Sequence, residues 1–163
     1  MERFKFIIPL FLLVACGEPC SLKLTEAEEL MIPADFQSVN SSFQETVQSS
    51  ESPTVIKYID AMCSYCLMEL KQWKELKAEE VDMNLIFVAS GTTLKDVEYA
   101  FYKADFEALY YHDSLYSFMD SNAIPANKNL QTLVLNPSGS IIYRGNPFVD
   151  EETTRCFKRL IEK

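Results

Sequence analysis

Two cysteines separated by two residues, Cys63 and Cys66, have the type and spacing to do chemistry. They lie in the stretch AMCSYCLMEL, between an apolar run and an amphipathic segment. Such a pair can alternate between dithiol and disulfide, supply half of a metal site, or form a structural crosslink. The choice depends on the elements that flank the pair and on the compartment in which the chain lives.

A strand and a helix are predicted on either side of the cysteines. The preceding run TVIKYI, residues 54–59, is apolar and rich in β-branched residues, which is typical of a buried strand. After the pair, apolar residues recur every third position and form one stripe of a helix: Leu67, Leu70, Trp73 and Leu76.

The predicted junction gives the two cysteines different roles. Cys63 falls at the helix N-terminus, where unpaired backbone N–H groups and the helix dipole favour a thiolate and lower its pKa. Cys66 lies one turn further along and is expected to be more buried. We therefore expect Cys63 to be the nucleophile and Cys66 to be the resolving thiol, in an exchange that needs no cofactor.

The rest of the chain alternates between strands and helices. Further strands are predicted at 83–90, 108–111, 131–135 and 140–144, and helices at 93–106, at 113–122 and after Asp150. NPSG favours a turn between the last two strands. The order predicts an α/β fold with a central mixed sheet of four to five strands flanked by helices, closed by a C-terminal β-hairpin plus helix.

The N-terminus has the pattern of an export signal. Basic residues precede a ten-residue apolar run, which is shorter than the ~20 residues that span a bilayer. The run ends in LVAC, which resembles the lipobox of bacterial lipoproteins and implies that Cys16 is lipidated; an ordinary cleavage site is the alternative. The predicted organisation is a signal peptide at 1–15, a tether and N-terminal extension at 16–52, and a folded domain at 53–163.

Within the extension, Thr25 and Glu28 have the spacing of a capping box and predict a short helix at 26–31. The Ser- and Gln-rich stretch that follows, residues 38–53, reads as a loop or a weakly structured arm. Of the remaining cysteines, Cys156 lies on the apolar face of the last helix and is expected to be a core thiol. Cys20 is expected to be free or to pair with another chain.

Two stretches, TVIKYIDAMCSYCLMELKQW and QTLVLNPSGSIIYRGNP, together with the element order, resemble the thioredoxin fold. The resemblance covers about residues 50–163 and is strongest to the TlpA/ResA type of envelope protein and to thioredoxin-like lipoproteins of Bacteroidetes. It implies a thiol–disulfide oxidoreductase with Cys63 and Cys66 as the redox pair. It also implies protein or small-molecule disulfides and thiols as substrates, an upstream thiol reductant or oxidant, and a lipid-anchored, periplasm-facing place in the bacterial envelope.

The sequence departs from that family at three places. The position that corresponds to the cis-proline of thioredoxin is occupied by Gln131, so an ordinary trans peptide is expected there. The buried acid of thioredoxin is replaced by Lys57, and Asp60 or Glu69 could take over as proton carrier. The dipeptide between the cysteines is Ser-Tyr, where the family has Gly-Pro or Pro-Pro.

Other functions fit the residues less well. A structural crosslink across two residues closes a very small loop and stabilises little. A zinc site needs four ligands, and the chain has one histidine, His112, so no metal ligands are assigned. A non-enzymatic binding or copper-delivery module on the same fold is the alternative function, although the known copper spacing is C-x-x-x-C. The net charge of -9 disfavours a nucleic-acid partner.

Overall fold

The computed structural model describes residues 20, 22 and 24–162. In this part of the chain the strands are β1 Leu24–Glu29, β2 Thr54–Asp60, β3 Asn84–Ser90, β4 Leu109–His112, β5 Thr132–Leu135 and β6 Ser140–Gly145. The helices are α1 Ala34–Val39, α2 Phe43–Gln48, α3 Ser64–Ala78, α4 Leu94–Ala104, α5 Ser117–Ser121 and α6 Glu151–Ile161, and a 3₁₀ helix spans Lys128–Leu130.

The strands form one mixed sheet in the order β1-β6-β5-β2-β3-β4. The pairs β2/β3 and β3/β4 are parallel, whereas β2/β5, β5/β6 and β1/β6 are antiparallel. The predicted α/β class with a C-terminal hairpin and helix is confirmed. The described sheet has six strands, more than the four to five expected, because β1 adds to the edge of the hairpin.

Strand β2 lies at the centre of the sheet and is buried on both sides. Val55 and Ile59 belong to the core on one face, which the helices α3, α4 and α6 cover. Ile56 and Tyr58 belong to the core on the other face, which α1, α2 and α5 cover. This explains why the sequence of β2 is a nearly continuous apolar run.

Aromatic side chains contact one another in both cores. On the first face, the Trp73 ring makes edge contacts with Phe87, Phe148 and Phe157. On the second face, Phe36, Phe43 and Phe118 form a cluster whose ring centroids are 5.0–5.4 Å apart. Because Trp73 lies on α3, its burial fixes this helix against the sheet.

The expectation of a helix at 26–31 is wrong, because Leu24–Glu29 is a strand. This strand pairs antiparallel with β6, and Glu28 forms an ion pair with Arg144 of that strand, Nη2 to Oε2 2.7 Å. A local capping signal is outweighed here by pairing with a strand over a hundred residues away, which a local pattern does not contain. The arm predicted at 38–53 contains the whole of α2, whose Phe43 is fully buried.

The expectations for Cys20 and Cys156 are also wrong, because the two form a disulfide with each other. Their Cα atoms lie 5.3 Å apart, and the bond ties the start of the described chain to α6. Cys156 is buried and Cys20 is exposed. Disulfides persist in exported proteins, so the bond fits the predicted export of the chain.

The signal peptide at 1–15 and the lipidation site Cys16 lie outside the described residues. Among the residues that are described, no helix has both the length and the apolar character needed to cross a membrane. The boundary at 15 therefore stays a prediction from the sequence. The boundary at 52 also stays a prediction, and the elements before it, β1, α1 and α2, pack with the same sheet.

The disulfide generates the first prediction. It joins positions 136 residues apart, so it restricts the unfolded chain strongly. Replacing the exposed partner, Cys20→Ser, is expected to lower the free energy of unfolding by ~2–5 kcal/mol, measured by urea denaturation. Cys20→Ser/Cys156→Ala is the companion variant, which excludes an effect of the unpaired thiol. Unfolding curves that coincide with wild type in both variants would contradict the prediction.

Candidate active site

Cys63 lies at the turn from the central strand β2 into helix α3. It is the residue that caps the N-terminus of α3, with an extended backbone conformation, and its N–H donates to the Asp60 carbonyl at 3.1 Å. Its side chain is partly buried and its thiol is free. The strand-to-helix junction predicted from the sequence therefore brings the sulfur of Cys63 to the first turn of the helix.

Cys66 lies one turn further along α3 and faces the core. It is a free thiol with 1% of its surface exposed, and it packs with Leu70, Trp73 and Ile59 in the core of the first face. The two cysteines therefore differ in the way that the sequence predicted, since one is accessible and the other is buried.

A lysine that the sequence analysis did not single out also reaches the sulfurs. Lys128 begins the 3₁₀ helix that precedes β5, and its Nζ donates to the Sγ of Cys66 at 3.0 Å. The same ammonium group also acts on Cys63. Lys128 is 62 positions from Cys66, and no local pattern marks it, so the sequence carries no signal for this contact.

The surroundings give the two thiols opposite shifts in pKa. Desolvation, the largest influence, raises the pKa of Cys63, but the Lys128 ammonium group and the backbone N–H groups of Cys66 and Tyr65 outweigh it, so the pKa falls below the ordinary cysteine value. Desolvation also raises the pKa of Cys66, and there it outweighs the Asp60 N–H and Lys128. At neutral pH the thiolate therefore forms more readily on Cys63 than on Cys66.

Beneath the cysteines, a buried ion pair joins β2 to α3. The Nζ of Lys57 lies 2.7 Å from Oε1 of Glu69, and the two side chains are 0% and 2% exposed. Apart from each other, the two charged groups have no hydrogen-bond partner among the described residues. Burial lowers the pKa of Lys57, an effect that the charge of Glu69 opposes, and the Cys66 sulfur is close enough to act on Lys57 as well.

The two acids considered as proton carriers lie in different surroundings. Asp60 is exposed, and its carboxylate accepts a hydrogen bond from the Met62 N–H at 2.9 Å. Glu69 is buried and lies three positions beyond Cys66 on α3. Only Glu69 has the burial of the thioredoxin acid, and its role in proton transfer stays a prediction.

Gln131 lies directly before β5, as the sequence predicted, and it is buried. Its carbonyl accepts the Tyr58 N–H at 2.9 Å, and its side-chain Nε2 donates to the Pro125 carbonyl at 3.0 Å. The described residues contain no cis peptide bond, so the expected trans peptide at Gln131 is confirmed.

The remaining candidate ligand, His112, lies in β4, where its Nε2 is 3.0 Å from the Gly91 carbonyl oxygen. Across residues 20, 22 and 24–162 there is no group of three or more His, Cys, Asp or Glu side chains placed to hold a metal ion.

Comparisons with known proteins define the fold. No protein-family model matches the chain. No curated protein matches it by sequence. Solved structures do match: StoA from Bacillus subtilis is 18% identical with a TM-score of 0.52, over 66% of this chain and 82% of that one.

The thioredoxin domain of a thiol–disulfide oxidoreductase from Bacteroides vulgatus is 15% identical, with a TM-score of 0.53 over 73% of this chain and 84% of that one. A secreted disulfide oxidoreductase of Mycobacterium tuberculosis, described as homologous to E. coli DsbE, is 11% identical, with a TM-score of 0.52 over 66% and 79% of the two chains. The chain therefore has a thioredoxin-like fold, as its resemblance implied.

The buried ion pair generates a prediction about stability. Lys57→Met leaves the Glu69 carboxylate buried without a partner and is expected to lower the free energy of unfolding by ~3–5 kcal/mol in urea denaturation. Lys57→Met/Glu69→Leu removes both charges and is expected to recover most of that loss.

The exposed pair of Lys74 and Asp105, Nζ to Oδ2 2.7 Å, is the matched control. Lys74→Met is expected to change the free energy of unfolding by no more than ~1 kcal/mol, because water screens an exposed pair. The prediction would be contradicted if Lys57→Met lowered the free energy of unfolding by no more than Lys74→Met does.

Proposed function

We propose that the chain is a thiol–disulfide oxidoreductase of the thioredoxin type that works through Cys63 and Cys66. The observation that carries the proposal is the asymmetry of the pair. Cys63 has a lowered pKa and caps the N-terminus of α3, while Cys66 is buried one turn behind it with Lys128 at 3.0 Å. The descriptions of the structural neighbours as disulfide oxidoreductases support the same activity.

In the first step, the thiolate of Cys63 attacks one sulfur of a substrate disulfide. A new S–S bond forms between Cys63 and that sulfur, the substrate S–S bond breaks, and the other sulfur leaves as a thiolate. The helix N-terminus and Lys128 favour the attacking thiolate at neutral pH.

In the second step, Cys66 loses its proton and attacks the sulfur of Cys63. The Cys63–Cys66 disulfide forms and the bond from Cys63 to the substrate breaks, which releases the second substrate thiolate. Counted from the Cys63 thiolate, the protein has given up two electrons and the one proton of Cys66, and the two substrate thiolates take up protons from solvent after they leave. The same steps run backwards when the chain oxidises a dithiol.

The proposed substrates are protein or small-molecule disulfides and thiols of the bacterial envelope. The signal pattern at 1–15, the Cys20–Cys156 disulfide and the description of one structural neighbour as secreted support this location. In the same proposal, a lipid on Cys16 holds the domain at the membrane on its periplasmic side, and a separate thiol reductant or oxidant resets the pair.

Equilibration with glutathione tests the redox pair. In buffers of defined glutathione ratio, Cys63 and Cys66 are expected to gain and lose hydrogens together in mass spectrometry, because each closes a disulfide with the other. Cys66→Ser is expected to accumulate a mixed disulfide at Cys63, whereas Cys63→Ser is not.

The control is Cys20→Ser/Cys156→Ala, which lacks the second disulfide and should show the same exchange at Cys63 and Cys66. A mixed disulfide that accumulates in Cys63→Ser and not in Cys66→Ser would reverse the assignment of nucleophile. A pair that never interconverts would remove the proposed function.

Membrane fractionation tests the anchor. Cys16→Ser is expected to leave the membrane fraction or to remain unprocessed, because the lipid-bearing thiol is gone. Cys20→Ser is the matched control, four positions along, and should stay with the membrane. Unchanged processing and membrane association of Cys16→Ser would exclude the anchor.

A further inference from the structure

We propose that Lys128 is a catalytic residue of this site: its ammonium group stabilises the two sulfurs in turn and shifts the dithiol–disulfide equilibrium toward the dithiol. This inference rests on the proposed function, and it adds both a residue and a direction to it. It starts from a contact with a reacting atom, since the Lys128 Nζ donates to the Sγ of Cys66 at 3.0 Å.

The loop that carries Lys128 is held in place by its own hydrogen bonds. The Asn127 carbonyl accepts the Leu130 N–H at 3.0 Å, and the Asn127 side chain accepts the Asn129 N–H at 3.1 Å. Asn129 in turn accepts a hydrogen bond from Asn146 beyond β6 at 3.4 Å. The loop therefore presents the lysine from a defined position, immediately before strand β5.

The charges around the sulfurs leave Lys128 as the available cation. From β2, Lys57 also acts on Cys66, but its charge is paired with Glu69 of α3. Within the part of the chain that the structure describes, no carboxylate forms an ion pair with Lys128. Hydrogen bonds with Cys63 and Cys66 outweigh its desolvation and raise the pKa of Lys128, so it stays charged across the physiological range.

One cation beside two sulfurs can act in both steps. In the reduced protein the ammonium group favours the Cys63 thiolate, which makes the first attack. Once the Cys63 sulfur is bonded to a substrate sulfur, it carries no charge, and the ammonium group then interacts with Cys66 alone. The Cys66 thiolate is then stabilised when it has to attack the mixed disulfide, and no further conformational change is required.

The same contact acts on the equilibrium. The reduced pair carries a thiolate that the cation stabilises, whereas the oxidised pair is neutral and gains little from it. A site that stabilises its reduced form is a stronger oxidant, because its disulfide accepts two electrons more readily. Lys128 therefore makes the Cys63–Cys66 disulfide easier to reduce than it would be without this side chain.

The test compares Lys128→Met with wild type, with Lys128→Arg as the charge-retaining variant. Lys71→Met, an exposed position on α3, is the control for loss of a lysine. The equilibrium constant with glutathione is expected to shift toward the disulfide by about tenfold in Lys128→Met, or ~30 mV. The equilibrium constants of Lys128→Arg and Lys71→Met are expected to stay within about twofold of wild type. A fourfold change would correspond to ~18 mV, so these two variants should shift the potential by well under that amount.

A second measurement tests whether the ammonium group of Lys128 stabilises the Cys66 thiolate when Cys63 carries no charge. In Cys63→Ser, Lys128 interacts with the Cys66 sulfur alone. Ultraviolet absorbance of the thiolate measures the pH at which Cys66 loses its proton. That pH is expected to be lower in Cys63→Ser than in Cys63→Ser/Lys128→Met. This readout follows charge at one sulfur, which a purely structural role of Lys128 would leave unchanged. Thermal unfolding checks that each variant is folded, and Lys128→Gln replaces Lys128→Met if the latter is not.

The outcomes separate this inference from the proposed function. A wild-type pair that does not exchange with glutathione removes the function itself. A pair that exchanges with the same equilibrium constant in wild type and Lys128→Met overturns the role of Lys128 alone. An arginine variant that shifts as far as the methionine variant also overturns it, because charge would then not be the cause.

Discussion

The ion pair between Lys57 and Glu69 constrains how the cysteine helix is positioned on the sheet. A lysine that is 0% exposed in the central strand must have an opposite charge within reach, and α3 supplies it at 2.7 Å. Because residues three apart share a helix face, the rotation that brings Glu69 to Lys57 also turns Cys66 toward the core. Burial of Trp73 on the same helix supports that rotation. Cys63 is then left at the end of the helix, where a substrate can reach it.

Much of the fold could be predicted from the sequence because its signals are local. The apolar run of β2, the stripe from Leu67 to Leu76 and the turn between β5 and β6 each express a period or a turn preference within a few residues. The positions of Cys63 and Cys66 were predictable for the same reason, since a strand followed by a helix places one cysteine at the helix N-terminus and the other one turn further along. The position of Gln131 directly before β5 could be predicted by counting back from the start of that strand.

What the sequence did not yield depends on contacts between distant parts of the chain. β1 is a strand because β6 pairs with it, and Cys20 is bonded because α6 brings Cys156 to it. Lys128 is a loop lysine in a sequence with many lysines, and only the fold brings it to Cys66. Glu69 was named as a candidate, but its burial against Lys57 depends on how α3 lies on the sheet.

The charges at the site compensate for one substitution by which the sequence departs from thioredoxin, the lysine in place of the buried acid. Replacing the buried acid of β2 by Lys57 would leave an isolated cation in the core, and Glu69 neutralises it from α3. The deep pair is then close to neutral overall, so it adds little net charge beneath Cys66. The uncompensated charge lies above it on Lys128, in the loop where thioredoxin carries its cis-proline. A partly exposed cation in this loop can act on both sulfurs, whereas a cation beneath Cys66 would act mainly on the buried one. The arrangement therefore separates two tasks, since the buried pair positions the helix and the loop lysine adjusts the charge of the thiols.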